Sequence, residues 1–130
     1  MRSLFILLFY GIASQYGPHR MESVITLRQI PGRTGYTITH DLAQFDGFMA
    51  MESCGELGNE YYVKPLNYPT WELFLVTDCS GDVETSEWMA RNNIVVEVDH
   101  ETAVRWGTVG RGIAVQVARR RVIKSVFEEE

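Results

Sequence analysis

Cysteine is nearly missing from this sequence, with only Cys54 and Cys79 in 130 residues. Two thiols so far apart complete no zinc ligand set. Histidine is as sparse: His19, His40 and His100 are too scattered for a metal site, so no metal and no cofactor is expected. Basic residues are outnumbered, 12 Lys and Arg against 17 Asp and Glu, giving a net charge of −5. That balance leaves no electrostatic footprint for nucleic acid. No apolar run approaches the roughly 18 residues of a membrane-spanning helix. Glycine-rich phosphate loops are absent, which removes the basis for nucleotide binding. No Ser-His-Asp or Cys-His arrangement has motif support. Internal repeats and low-complexity linkers are missing too, so one domain is the economical reading, as a monomer.

What remains is ample for a core. Hydrophobic residues make up 45% of the chain, enough to bury an interior without metal or several disulfides. Residues 94, 96 and 98 (Ile, Val, Val) alternate with Val95, Glu97 and Asp99, the period of two of a half-buried strand. Ile113, Val115 and Val117 repeat the pattern. Residues 73–76 are apolar at four consecutive positions, as in a strand covered on both faces. Weaker strand candidates cover residues 23–27, 36–39, 48–51 and 61–63. Turn signals lie between them: "PGRTG" at 31–35, "DG" at 46–47, "ELGN" at 56–59 and "PLNYP" at 65–69. "HETAVRW" reads as a two-turn helix capped by Asp99 and closed by Gly107, with Ala103 and Trp106 on its inner side. A second short helix is expected through "TSEWMARN", with Ser86 as cap and Trp88 packing inward. Many short strands with one or two short helices predict a small closed β-barrel, because closure removes exposed strand edges.

The chain ends read differently. Residues 1–10 are a signal remnant or an extension of the first strand: Arg2 precedes a short apolar run, and Gly11, Ile12 and Ala13 resemble a weak cleavage site. Residues 119–130, with Arg119, Arg120 and Arg121 followed by three terminal glutamates, read as a charged, solvated tail.

Four segments carry a resemblance in order. "GIASQYG" at 11–17 resembles G-x-A-S-W-Y-G, and "LFLVTDCSG" at 73–81 resembles V-x-V-x-D-R-G-P. "VEVDHETAVRWG" at 96–107 resembles I-D-L-S-x-A-A-A-x-x-L-G, and "GIAVQV" at 112–117 resembles a closing G-x-A-x-V-x-V strand. Together they resemble the rare lipoprotein A family. "SCGELGNEYYV" at 53–63 is similar to the expansin and barwin side of the same fold, where a Cys-Gly precedes an aromatic-rich strand. The resemblance implies an all-β, six-stranded double-psi β-barrel over residues 11–118. It implies a cell-wall protein acting on peptidoglycan or a related polysaccharide, in an extracellular or periplasmic setting. It also implies that Cys79 is tied to Cys54 if the protein is exported, whereas in a reducing compartment both thiols stay free.

The residues of that activity follow from the same matches. Asp78, at the end of a core strand, stands where the family's strand runs into an aspartate, and it is the candidate general acid or base. Its alternative is a turn-forming Asp that accepts backbone N–H bonds in "DCSG". Glu52 stands where the family has a histidine, and it is either a second catalytic acid or a surface residue. Two nearby acids would push one pKa upward, as an acid catalyst requires. Ordinary inverting hydrolysis needs a second carboxylate to activate water. The first strand offers "SQYGPH" with no acid, so lytic transglycosylase-like cleavage by a single carboxyl is the better enzymatic reading. Tyr16 and Trp71 are candidate sugar-stacking residues, while Trp106 reads as core. The other function class is a non-catalytic barrel that binds glycan or protein through the same groove.

Overall fold

The computed structural model describes residues 8–120. Six strands, β1 (Leu8–Gln15), β2 (Gly47–Met51), β3 (Glu60–Pro65), β4 (Glu72–Cys79), β5 (Ile94–Val98) and β6 (Ile113–Arg119), close into a barrel. Their order around it is β1-β5-β2-β4-β3-β6. The β1–β5 and β2–β4 pairs are parallel, and the other four are antiparallel. Parallel neighbours cannot be joined by a tight turn, so the chain must cross over between them. Three helices, α1 (Arg20–Arg28), α2 (Val83–Arg91) and α3 (His100–Trp106), lie in the connections β1–β2, β4–β5 and β5–β6. The fold is therefore all-β with three short helices, one more than the sequence suggests.

The barrel interior is filled by the alternating residues of every strand. Met49, Tyr61, Val63, Phe74, Val76, Val96, Val98, Val115 and Val117 form one cluster, with Trp106 of α3 closing an end. A second cluster lies outside the barrel, where Met21 and Ile25 of α1 pack with Ile38 on Leu75 of β4. The apolar run at 73–76 thus has a physical reason. Phe74 and Val76 face the interior, whereas Leu75 is sealed beneath a helix. Full burial of a leucine side chain contributes roughly 1.5–3 kcal/mol.

Several local expectations fail, each for an identifiable reason. Residues 23–27 are helical, not extended. Val24, Ile25 and Thr26 are β-branched and favour strands, but Met21 and Ile25, four apart, share the face that packs on Leu75. The α2 helix starts two residues earlier than "TSEWMARN", because Asp82, not Ser86, is the cap and accepts from Thr85 N at 2.7 Å. On that helix Met89 is the buried residue, while Trp88 stays 41% exposed. Residues 36–39 form no strand; Ile38 N–H donates instead to Arg28 O at 2.8 Å, holding the loop to the end of α1. Gly47 opens β2 rather than making a turn. A Cβ there would lie 2.5 Å from the Phe74 ring and 2.5 Å from Thr102 Oγ1. The helix at "HETAVRW" forms as read, with Asp99 accepting from Thr102 N and Gly107 at φ 73°.

Both ends of the barrel differ from residues 11–118. Leu8, Phe9 and Tyr10 pair with β6, so they extend the first strand. Residues 1–7 of the signal-remnant reading and 121–130 of the tail lie outside the described residues. Arg119 ends β6, and Arg120 bonds Glu60 through both its backbone N–H and its guanidinium, the latter at 2.9 Å. Among the described residues, no helix is long and apolar enough to cross a membrane.

Candidate functional site

Strand register assembles a polar row that spacing along the chain does not reveal. Ser14 on β1 lies opposite Glu97 on β5, Glu97 opposite Ala50 on β2, and Ala50 opposite Asp78 on β4. The neighbours Ala13, Met49, Met51, Val96 and Val98 belong to the barrel core, so this row faces outward. A register shift between Met49 and Ala50 passes over Thr77 and brings Asp78 opposite Ala50. Bulges of this kind re-aim a side chain at the cost of one ladder position. The Cα atoms of Asp78 and Glu97 are two interstrand steps apart, roughly 10 Å. Between them stands only the methyl group of Ala50.

Each carboxylate has its own support. Tyr16, just past the end of β1, donates its hydroxyl to Asp78 Oδ2 at 2.6 Å. Arg28, in the last turn of α1, donates Nη2 to Asp78 Oδ1 at 3.0 Å. The side chains of this ion pair are only 14% and 19% exposed. Arg28 Nε is buried without a hydrogen-bond partner among the described residues, which leaves the guanidinium more dependent on Asp78. Glu97 accepts from Ser14 Oγ at 3.0 Å. Burial pushes Glu97 above the 4.5 of an ordinary glutamate; the Ser14 bond opposes this, the charge of Asp78 adds to the rise, and Arg20 subtracts. Tyr16 is also pushed well above a free phenol, first by burial and then by its bond to Asp78, so it acts as a donor.

The residues expected from sequence scatter around this row. Asp78 is in it, held as half of an ion pair rather than as a turn-forming Asp. Tyr16 touches it, but through its hydroxyl. Glu52 lies one outward step beyond Ala50 on the β2 side and is exposed, so it is next to the row and not part of it. Trp71, 42% exposed, precedes β4. It lies at the far end of that strand from Asp78, roughly 23 Å away at the rise of an extended chain. Cys54 and Cys79 are joined in a disulfide with Cα atoms 5.0 Å apart. The bridge ties the end of β4, immediately after Asp78, to the single 3-10 turn Cys54–Glu56. Trp106 is core, donating Nε1 to the nearly buried Glu72 at 3.2 Å.

Glu97, Arg28 and Ser14 were not singled out by the sequence. Glu97 shows there only as the polar member of an alternating strand, and Arg28 only as the residue that follows a segment, 23–27, that reads as extended. Two cavities flank the region. A cleft of about 660 Å³ opens between the end of β2 and α2, and a smaller one of about 250 Å³ lies between the first turns of α1 and α3. Asp78 lines neither. Among the described residues no group of three or more His, Cys, Asp or Glu could hold a metal ion. The chemistry on offer is that of two carboxylates in unequal surroundings, one tending to keep its proton and one fixed beside a cation. No protein-family model and no curated protein matches the chain.

Proposed function

We propose that this barrel cleaves a polysaccharide of the cell wall by a lytic, water-independent route, with Glu97 as the acid and Asp78 as its fixed charged partner. The observation that carries the reading is the unequal carboxylate pair across Ala50. Glu97 is half-buried with its pKa raised, while Asp78 is anchored by Arg28 and Tyr16. The acid role moves from Asp78 to Glu97 because both Asp78 oxygens already accept bonds from the protein. In the step itself, Glu97 gives its proton to the glycosidic oxygen as the C1–O bond breaks. The negative charge of Asp78 stabilises the positive charge that develops at C1. A hydroxyl of the same sugar then closes on C1, and its proton returns to Glu97, leaving an anhydro-sugar end. General acid–base transfer of this kind supplies roughly 10²–10⁴-fold acceleration.

The resemblance to rare lipoprotein A supports the substrate class, and the closed six-stranded barrel with two parallel pairs supports a double-psi fold. The Cys54–Cys79 bridge supports an oxidising, extracellular or periplasmic setting. One observation favours a second reading. An Asp78 satisfied at both oxygens is also what a purely structural anchor looks like, and the barrel would then bind glycan or protein without cleaving it. Incubation of the purified protein with peptidoglycan sacculi, followed by mass spectrometry of released fragments, separates the two. Anhydro-ended products from wild type and none from Glu97→Gln are expected. If wild type binds sacculi, releases nothing, and Glu97→Gln binds equally well, cleavage is ruled out.

A further inference from the structure

The cation beside Asp78 uses half of its grip. A guanidinium is planar, and its Nε and Nη2 donors share one edge whose spacing matches the two oxygens of a carboxylate. Arg28 places Nη2 on Asp78 Oδ1 at 3.0 Å, yet Nε, next along that edge, is buried with no partner among the described residues. A buried donor left unmade is costly, and such groups are nearly always satisfied. The oxygen that would satisfy it is Asp78 Oδ2, and Tyr16 already holds that oxygen at 2.6 Å. Two donors therefore compete for one acceptor. A small turn of the Asp78 carboxylate would close the side-on fork and release the phenol.

Of the two donors, Tyr16 is the one that can let go. Its backbone N–H donates to Val98 O at 2.8 Å, so the residue stays beside the row while its hydroxyl changes partner. Tyr16 is half-buried, so a released hydroxyl can meet a ligand, whereas Arg28 Nε is sealed from solvent. Burial, then the bond to Asp78, holds the phenolic proton more firmly than in a free tyrosine, so Tyr16 donates a hydrogen bond and keeps its proton. We infer that Tyr16 is a substrate-binding residue of the row: as a glycan enters, Arg28 closes its fork on both Asp78 oxygens, and the Tyr16 hydroxyl passes to a sugar oxygen. No covalent bond changes, and Asp78 stays charged throughout. The inference rests on the glycan reading of the row and adds the residue that grips the sugar and the exchange that frees it.

The Arg28 Nε–H proton reports on the fork, because hydrogen bonding moves its NMR signal downfield. Proton–nitrogen spectra of the intact protein would identify it as the signal lost in Arg28→Lys. Tyr16→Phe removes the competing hydroxyl and little else, so its Arg28 signal should lie downfield of wild type with no glycan present. Adding a tetramer of N-acetylglucosamine to wild type should move the signal to the Tyr16→Phe position. In Tyr16→Phe the tetramer should leave the signal in place and bind roughly two- to tenfold more weakly, one hydrogen bond having been lost. A signal unmoved by Tyr16→Phe, or a wild-type signal that the tetramer leaves unchanged, would overturn the inference. The fork and the chemistry fail separately. Movement of the signal without cleavage of sacculi would uphold the exchange and remove the catalytic proposal. Cleavage of sacculi with an unmoved signal would do the reverse.

Discussion

Replacing Asp78 by Asn removes a charge from a pair that water scarcely reaches. The Arg28 and Asp78 side chains are 14% and 19% exposed, with Nη2 and Oδ1 3.0 Å apart. Breaking a fully buried pair from one side costs about 3–5 kcal/mol, because the remaining charge stays buried without compensation. An exposed pair is worth about 0–1 kcal/mol. This pair lies nearer the buried limit, and the amide can still accept from Tyr16. A loss of about 2–3 kcal/mol is therefore expected. At about 4 °C per kcal/mol for a domain of this size, the Tm falls by about 8–12 °C. Arg28→Met should cost about 2 kcal/mol, since it leaves the carboxylate with Tyr16 alone. The double variant removes both charges at once, so its loss should fall short of the sum by at least about 1 kcal/mol. Urea unfolding of the four proteins completes the cycle. An Asp78→Asn protein within about 0.5 kcal/mol of wild type, or single losses that simply add, would refute the coupling argument.

Four further outcomes can be checked. A carboxyl whose folded pKa is raised binds its proton more tightly when folded, so Glu97 makes stability fall as pH climbs from about 4.5 through its folded value. Glu97→Gln should flatten that decline and be at least as stable as wild type at neutral pH, and urea midpoints from acid to neutral pH would show otherwise. Of the six tyrosines, Tyr16, Tyr36 and Tyr61 are shifted upward, chiefly by burial. An alkaline titration followed by phenolate absorbance should therefore show these three losing their protons only well above the pH 10 of a free tyrosine, as the barrel unfolds. Stability should also drop above that pH, because the unfolded chain gives up those protons first. Finally, Cys54→Ser with Cys79→Ser should lose about 3 kcal/mol in the chain-entropy model, and a denaturation midpoint indistinguishable from wild type would count against the bridge.

The barrel was legible where one rule governed a segment. Alternation at 94–98 and 113–117 marked strands because one side faces the core and the other does not. Asp99 and Gly107 marked α3 because a cap and a positive-φ stop sit at its two ends. The α1 helix escaped because its β-branched residues argue locally for a strand, while the contact with Leu75 that decides the matter is about 50 positions away in the chain. Asp78 could be singled out because a polar residue ends an apolar run. Its partners could not. Glu97 reaches it through two strand registers, and Arg28 reaches it from a helix lying across the barrel, so neither leaves a spacing signature. The bulge at Thr77 matters most here, since an unshifted ladder would bring Thr77 opposite Ala50 instead of the carboxylate.

The antiparallel pairing of the first and last strands has a mechanical consequence. Leu8 opposes Ala118 at one end of that ladder, and Ala13 opposes Ile113 at the other. Tension applied through the two chain ends enters at the Leu8–Ala118 pair and separates the strands one pair at a time, as a zipper opens. A shear geometry, by contrast, would load every bond of the ladder together. Under such a pull the barrel yields at low force, however well its core resists heat or denaturant. A tethered copy would lose β1 and β6 first, and with β1 the Ser14 bond to Glu97 and the Tyr16 bond to Asp78.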